Sequence, residues 1–134
     1  MEQDLDTFAA GLATHPEGFG GLFIRMGYMV LLPLLELPYP EVNGRLVEAL
    51  TAAGVPESEA QAVSLRELVG FALQRASPYW AGQAVAWLEA GIPLDRELAD
   101  AVDRRVADKR VWSQQLRHRA FGLVRRWERK QPES

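Results

Sequence analysis

The run from Leu22 to Leu37 constrains this chain more than any other stretch. Only Arg25 and Glu36 are charged in it. Wound as a helix, its apolar residues fall on every side of the wheel instead of on one stripe. A helix of that kind must be covered all round, by protein or by lipid. The uncharged part, Met26 to Leu35, is ten residues long, and a membrane span needs about 20. Pro33 also removes a backbone donor and should bend or end the helix. The run therefore predicts a buried helix at about 21–37, with no membrane role and with the other helices arranged around it.

Those other helices are amphipathic. Leu5, Phe8, Ala9 and Leu12 give one apolar face over residues 3–13. A loop with three glycines and a proline covers residues 15–21. Pro40 suits the first turn of a helix that runs to about Ala53, with Val42, Leu46, Ala49 and Leu50 inward. Gly54, Val55 and Pro56 then form a stop signal. A short helical piece follows to Val63, with one continuous helix over 57–75 as the alternative. Ser64 and Glu67 have the spacing of a capping box, and its helix runs to about Arg75, with Leu65, Leu68, Val69, Ala72 and Leu73 inward. Ser77 and Pro78 open a helix whose inward residues are Trp80, Ala81, Ala84, Trp87 and Leu88. Asp95 caps the next, to about Lys109, with Leu98, Val102 and Val106 inward. Ser113 caps the last, to about Lys130, with Leu116, Ala120, Leu123, Val124 and Trp127 inward. Residues 131–134 read as a frayed tail. No segment alternates apolar and polar residues over strand length. The expectation is one all-α domain over residues 1–134 with six to seven helices: N-terminal helices in 1–37 and helical hairpins in 40–130.

The chain also repeats itself. Ala53-Gly54-Val55-Pro56 recurs as Ala90-Gly91-Ile92-Pro93, and Ser77, Trp80, Ala84, Trp87 and Leu88 recur as Ser113, Leu116, Ala120, Leu123 and Val124. A two-helix unit of about 37 residues is in the size range of helical solenoids. On these residues, positions 40–130 resemble HEAT-type or armadillo-type α-hairpin repeats. Ser113 to Trp127 is similar to the first helix of such a repeat, although it lacks the mid-helix proline, which keeps a compact bundle open beside a curved solenoid. The resemblance implies a binding scaffold and carries over no catalytic residue.

Chemistry-bearing signals are sparse. The chain has no cysteine and two histidines, His15 and His118, far apart in sequence. No metal site and no cofactor are expected from that set. An acidic N-terminus without the basic region of a signal peptide, together with the lack of cysteine, predicts a cytoplasmic protein. Neither a Gly-x-Ser-x-Gly elbow nor a phosphate-loop pattern is present, so an enzyme is not expected.

Charge is the exception. Residues 1–103 hold 15 acids and five bases, whereas residues 104–134 hold three acids and ten bases. On the last helix His118, Arg125 and Arg129 lie within about 40° of one another, and Arg119, Arg126 and Lys130 form a column beside them. Guanidiniums so arranged suit carboxylates or phosphates. Tyr79 points off the core face of its helix and is a further exposed contact. The candidate partner-binding residues are thus Tyr79, His118, Arg119, Arg125, Arg126 and Arg129. They predict a small scaffold that binds a protein, another copy of itself included. Nucleic-acid binding through the basic helix is a second expectation, and an enzyme or small-molecule pocket near residues 15–25 a third.

Overall fold

The structure, a computed structural model, describes residues 4–131. All of its regular structure is helical. Eight α-helices are formed: α1 (Leu5–Ala13), α2 (Gly18–Met26), α3 (Tyr39–Ala52), α4 (Glu57–Gln61), α5 (Leu65–Arg75), α6 (Pro78–Ala90), α7 (Arg96–Ala107) and α8 (Gln114–Lys130). A 3-10 helix, Gly27–Glu36, lies between α2 and α3. The chain divides into two compact units, one ending at Leu68 and one beginning at Val69, and that border falls within α5.

In the first unit α1 packs on α2 and α3, and α4 packs on α3. The faces expected from spacing are the buried ones: Leu5, Phe8, Ala9 and Leu12 of α1, and Val42, Leu46, Ala49 and Leu50 of α3. Asp4 caps α1 by accepting from the Thr7 N–H at 2.7 Å. The stop after α3 works through Gly54, whose φ of +107° is open to glycine without strain. The chain then turns so that the Val55 N–H reaches back to the Leu50 carbonyl at 2.9 Å, and Val55 is buried.

The helix expected at about 21–37 is not one buried helix. It breaks at Gly27, where φ is +62° and ψ is −148°. Beyond the break the chain winds with three residues per turn, so side chains three apart eclipse. That winding sorts an all-apolar run into three columns. Leu31 and Leu34 form one buried edge, and Leu32 and Leu35 a second. Val30, Pro33 and Glu36 form the third, which is half-buried to exposed. Burial is therefore one-sided, and it is incomplete upstream: Ile24 is 87% exposed and Met29 52%. By length and hydropathy Gly18–Glu36 could cross a membrane, but in this fold its leucines serve the core of the first unit. Phe23 packs edge-on to Tyr28 with ring centroids 5.0 Å apart. The Tyr28 hydroxyl in turn accepts from the Ser64 N–H at 3.0 Å, next to the start of α5.

In the second unit α7 pairs closely with α8, and α6 also packs on α8. Asp95 accepts from the Leu98 N–H at 2.8 Å and Ser113 from the Leu116 N–H at 3.2 Å, so these two expected caps are made, whereas Ser77 stands at the start of α6 without a side-chain cap hydrogen bond. After α6, Gly91 has φ of +125°, and the Ile92 N–H reaches the Trp87 carbonyl at 3.2 Å. The two Ala-Gly-aliphatic-Pro sequences thus fold into the same turn. Gly70 lets the Leu98 side chain approach to 3.5 Å of the point a Cβ would occupy, which brings α7 close to α5. The buried stripe of α8 is Leu116, Ala120 and Val124. Leu123 and Trp127, expected inside, are only half-buried. A straight i, i+4 stripe leaves them on its flank, and the Arg96 guanidinium covers the Trp127 ring at 4.8 Å.

Candidate functional site

The candidate residues on α8 owe their positions to that stripe. With Leu116, Ala120 and Val124 inward, His118, Arg125, Arg126, Arg129 and Lys130 all turn outward and are exposed. Arg125 and Arg129, like Arg126 and Lys130, are like charges four residues apart, an arrangement that mildly opposes the helix. Gly122 stands among them, with the Arg126 Nη1 atom 3.8 Å from the position a Cβ would take.

The bases of the second unit divide by what they do. Arg105 donates to the Leu73 carbonyl at 3.0 Å and also to the Gln74 carbonyl, closing the C-terminal end of α5. Arg117 donates to the Trp112 carbonyl at 3.3 Å. Arg119 forms a fork with Glu89 at the end of α6, with contacts of 2.6 and 3.3 Å. Its hydrogen bond to that carboxylate pushes the guanidinium above its ordinary range. Arg119 is therefore held within the unit. Arg125 lies over the Phe121 ring at 5.7 Å. His118, Arg126, Arg129 and Lys130 make no ion pair among the described residues. Tyr79 lies on a different helix, in the first turn of α6, edge-on to Trp80 at 4.9 Å.

Two features escaped the sequence reading. Asp103 faces Glu128 across the α7–α8 pair and has Asp100 one turn before it on α7. Burial raises its carboxyl pKa, and the repulsion of Glu128 and then Asp100 raises it further, against the pull of Arg96 and Arg125. Helical spacing within α7 alone does not reveal Glu128; the pairing of the two helices does. The second feature is an open depression of about 520 Å³ at the end of α7, lined by Arg104, Ala107, Asp108, Lys109 and Arg110. Asp108 is committed there: the Arg110 backbone N–H, with its side chain, lowers the carboxyl pKa. The bases were visible in the sequence, but their gathering around one hollow depends on the turn.

Around residues 15–25 the groups are satisfied locally. A carboxylate oxygen of Glu59 comes within 2.8 Å of the point where a Cβ of Gly20 would be. Gly20 lies in the first turn of α2, which begins at Gly18 inside the loop expected over 15–21, and the chain's own carboxylate fills the space beside it. Arg25 meets both oxygens of Glu17, at 3.0 and 2.8 Å. That bond lowers the Glu17 pKa and raises that of Arg25. Among the described residues no three histidine or carboxylate side chains are grouped so as to hold a metal. No family model matches the chain, and neither a curated protein nor a solved structure matches it.

Proposed function

We propose that this chain is a helical scaffold that binds a protein partner through the outer face of α8. One observation carries the proposal. Arg105, Arg117 and Arg119 are used up inside the second unit, whereas Arg126, Arg129 and Lys130 stay outward without an ion pair among the described residues. Exposed Phe121, with Arg125 above its ring, adds an aromatic contact beside them. Arginine and aromatic side chains are enriched where proteins meet. The partner of such a face is an acidic segment, and no reaction is assigned to it.

The test is fluorescence anisotropy with a labelled, glutamate-rich helical peptide. Wild type should bind it, more weakly as salt rises. Arg126→Glu with Arg129→Glu should weaken binding at least tenfold and leave the thermal midpoint nearly unchanged. Equal binding by wild type and the double variant would remove the face from function.

A second proposal, nucleic-acid binding, is favoured by the hollow lined by Arg104, Lys109 and Arg110. It predicts a shift of generic RNA or DNA with a steep salt slope, abolished by reversing Arg104 and Lys109.

A further inference from the structure

The outer face of α3 is the chemical complement of the outer face of α8. On α3 the buried residues Val42, Leu46, Ala49 and Leu50 turn Glu41, Gly44 and Glu48 to solvent. These three fall within about 60° on the helical wheel. A Cβ at Gly44 would meet nothing within 4 Å. Its φ is not positive, so neither backbone nor packing within the chain requires glycine there. Glycine in a helix interior weakens the helix, and its compensating property is that another backbone can come close.

On α8 the corresponding place is Gly122, flanked at four residues by His118 and Arg126 and at three by Arg119 and Arg125. Each face is thus centred on a glycine, one flanked by the two carboxylates Glu41 and Glu48 and the other by bases. Each also shows one exposed apolar side chain beside its glycine, Val47 on α3 and Phe121 on α8. The charge of the whole chain is divided in the same sense. The unit ending at Leu68 has ten acids and three bases, and the unit from Val69 has eight acids and twelve bases.

We infer that α8 of one copy docks across α3 of a second copy, the helices crossing where Gly44 meets Gly122, with Arg126 and Arg129 against Glu41 and Glu48. The inference rests on α8 being a protein-binding face and names its acidic partner. The complement is found on the chain itself, always present at the same concentration. Arg45, which lies 3.8 Å from Glu41, is nearer to Asp6 at 3.2 Å. Glu48 makes no ion pair among the described residues. Two different patches meet, so the contact is heterologous: a copy offers one face of each sign.

Sedimentation velocity of the full chain tests this. Wild type should sediment above the monomer mass at low salt and as a monomer at high salt. Arg126→Glu with Arg129→Glu should be monomeric at low salt, and so should Glu41→Lys with Glu48→Lys. An equimolar mixture of these two variants should associate again, because each then presents the charge the other lacks. Gly44→Leu should also be monomeric, while its thermal midpoint equals or exceeds that of wild type, since leucine favours the helix and meets no neighbour. That variant keeps the test alive should a charge reversal fail to fold. A wild type that is monomeric at low salt overturns self-association. If that monomer still loses the glutamate-rich peptide on reversal of Arg126 and Arg129, the binding face stands and only its partner is another protein. Association that survives the reversal, or a mixture that stays monomeric, overturns the contact proposed.

Discussion

Gly18–Glu36 and α8 are nearly equal in length and set opposite problems. The first has 19 residues with more apolar side chains than one stripe can hold. The second has 17 residues with more charge than a soluble helix needs. α8 keeps ordinary α geometry because its apolar residues recur at four, so a single stripe buries Leu116, Ala120 and Val124. The apolar run has no such contrast between faces. It breaks at a glycine and changes its winding: before the break α2 buries Phe19 and Leu22 and exposes Ile24, and after it the three-residue columns separate buried leucines from an exposed edge. Spacing therefore predicts burial where polar residues mark the outside. Where nothing marks it, backbone chemistry at Gly27 and Pro33 decides.

The two segments differ most in what their leucines contribute to the core. Leu34 is fully buried on the 3-10 helix, so Leu34→Ala should cost about 2–5 kcal/mol in a urea titration. Leu123 of α8 is half-buried, and Leu123→Ala should cost clearly less. Ile24, apolar and in the same run as Leu34, should tolerate serine within about 0.5 kcal/mol. A large loss at Ile24 would mean that the run is buried on all sides after all.

Two glycines sharpen the contrast next. Gly27 holds a conformation that side chains rarely adopt, so Gly27→Ala should destabilise by about 1–3 kcal/mol. Gly122 is ordinary helix with room beside it, and Gly122→Ala should be neutral or stabilise by up to about 1 kcal/mol. Equal effects on the thermal midpoint would remove the distinction between a hinge and a helix interior.

Smaller effects belong to the charges. Both partners of the Arg119–Glu89 fork are more than a third exposed, so Arg119→Ala should cost at most about 1 kcal/mol. Smaller again is the effect of Asp103. Its raised pKa means that the folded state favours the protonated carboxyl. The stability this contributes is complete below the ordinary carboxylate range and is lost as pH rises through the folded value. Asp103→Asn should accordingly raise the thermal midpoint at neutral pH, and the gain should vanish in acid. A gain that is independent of pH would point to a cause other than ionisation.

Much of the fold was legible because its signals are local. Ser64, Asp95 and Ser113 cap helices as their spacing implies, and Gly54 and Gly91 end them. The apolar faces of α1 and α3 follow directly from periodicity. Of the α8 candidates, all are exposed, but their fates were not legible. Nothing in the order of residues places Glu89 beside Arg119, 30 positions away, or Arg105 at the carbonyls that end α5. Those partners are set by which helices pack together. Trp127 shows the same limit: helical spacing put it inside, yet it ends near the helix terminus under Arg96.

The three-residue winding of Gly27–Glu36 also fixes how its length can change. An extra residue after Val30 would rotate everything downstream by about 120°. Glu36 would then fall in line with the column that Leu31 and Leu34 now occupy, and a carboxylate would be turned toward the core. Three extra residues would restore every column and lengthen the segment by about 6 Å. Natural or engineered length variants of this segment should therefore survive in steps of three, where an α-helix would favour steps near seven.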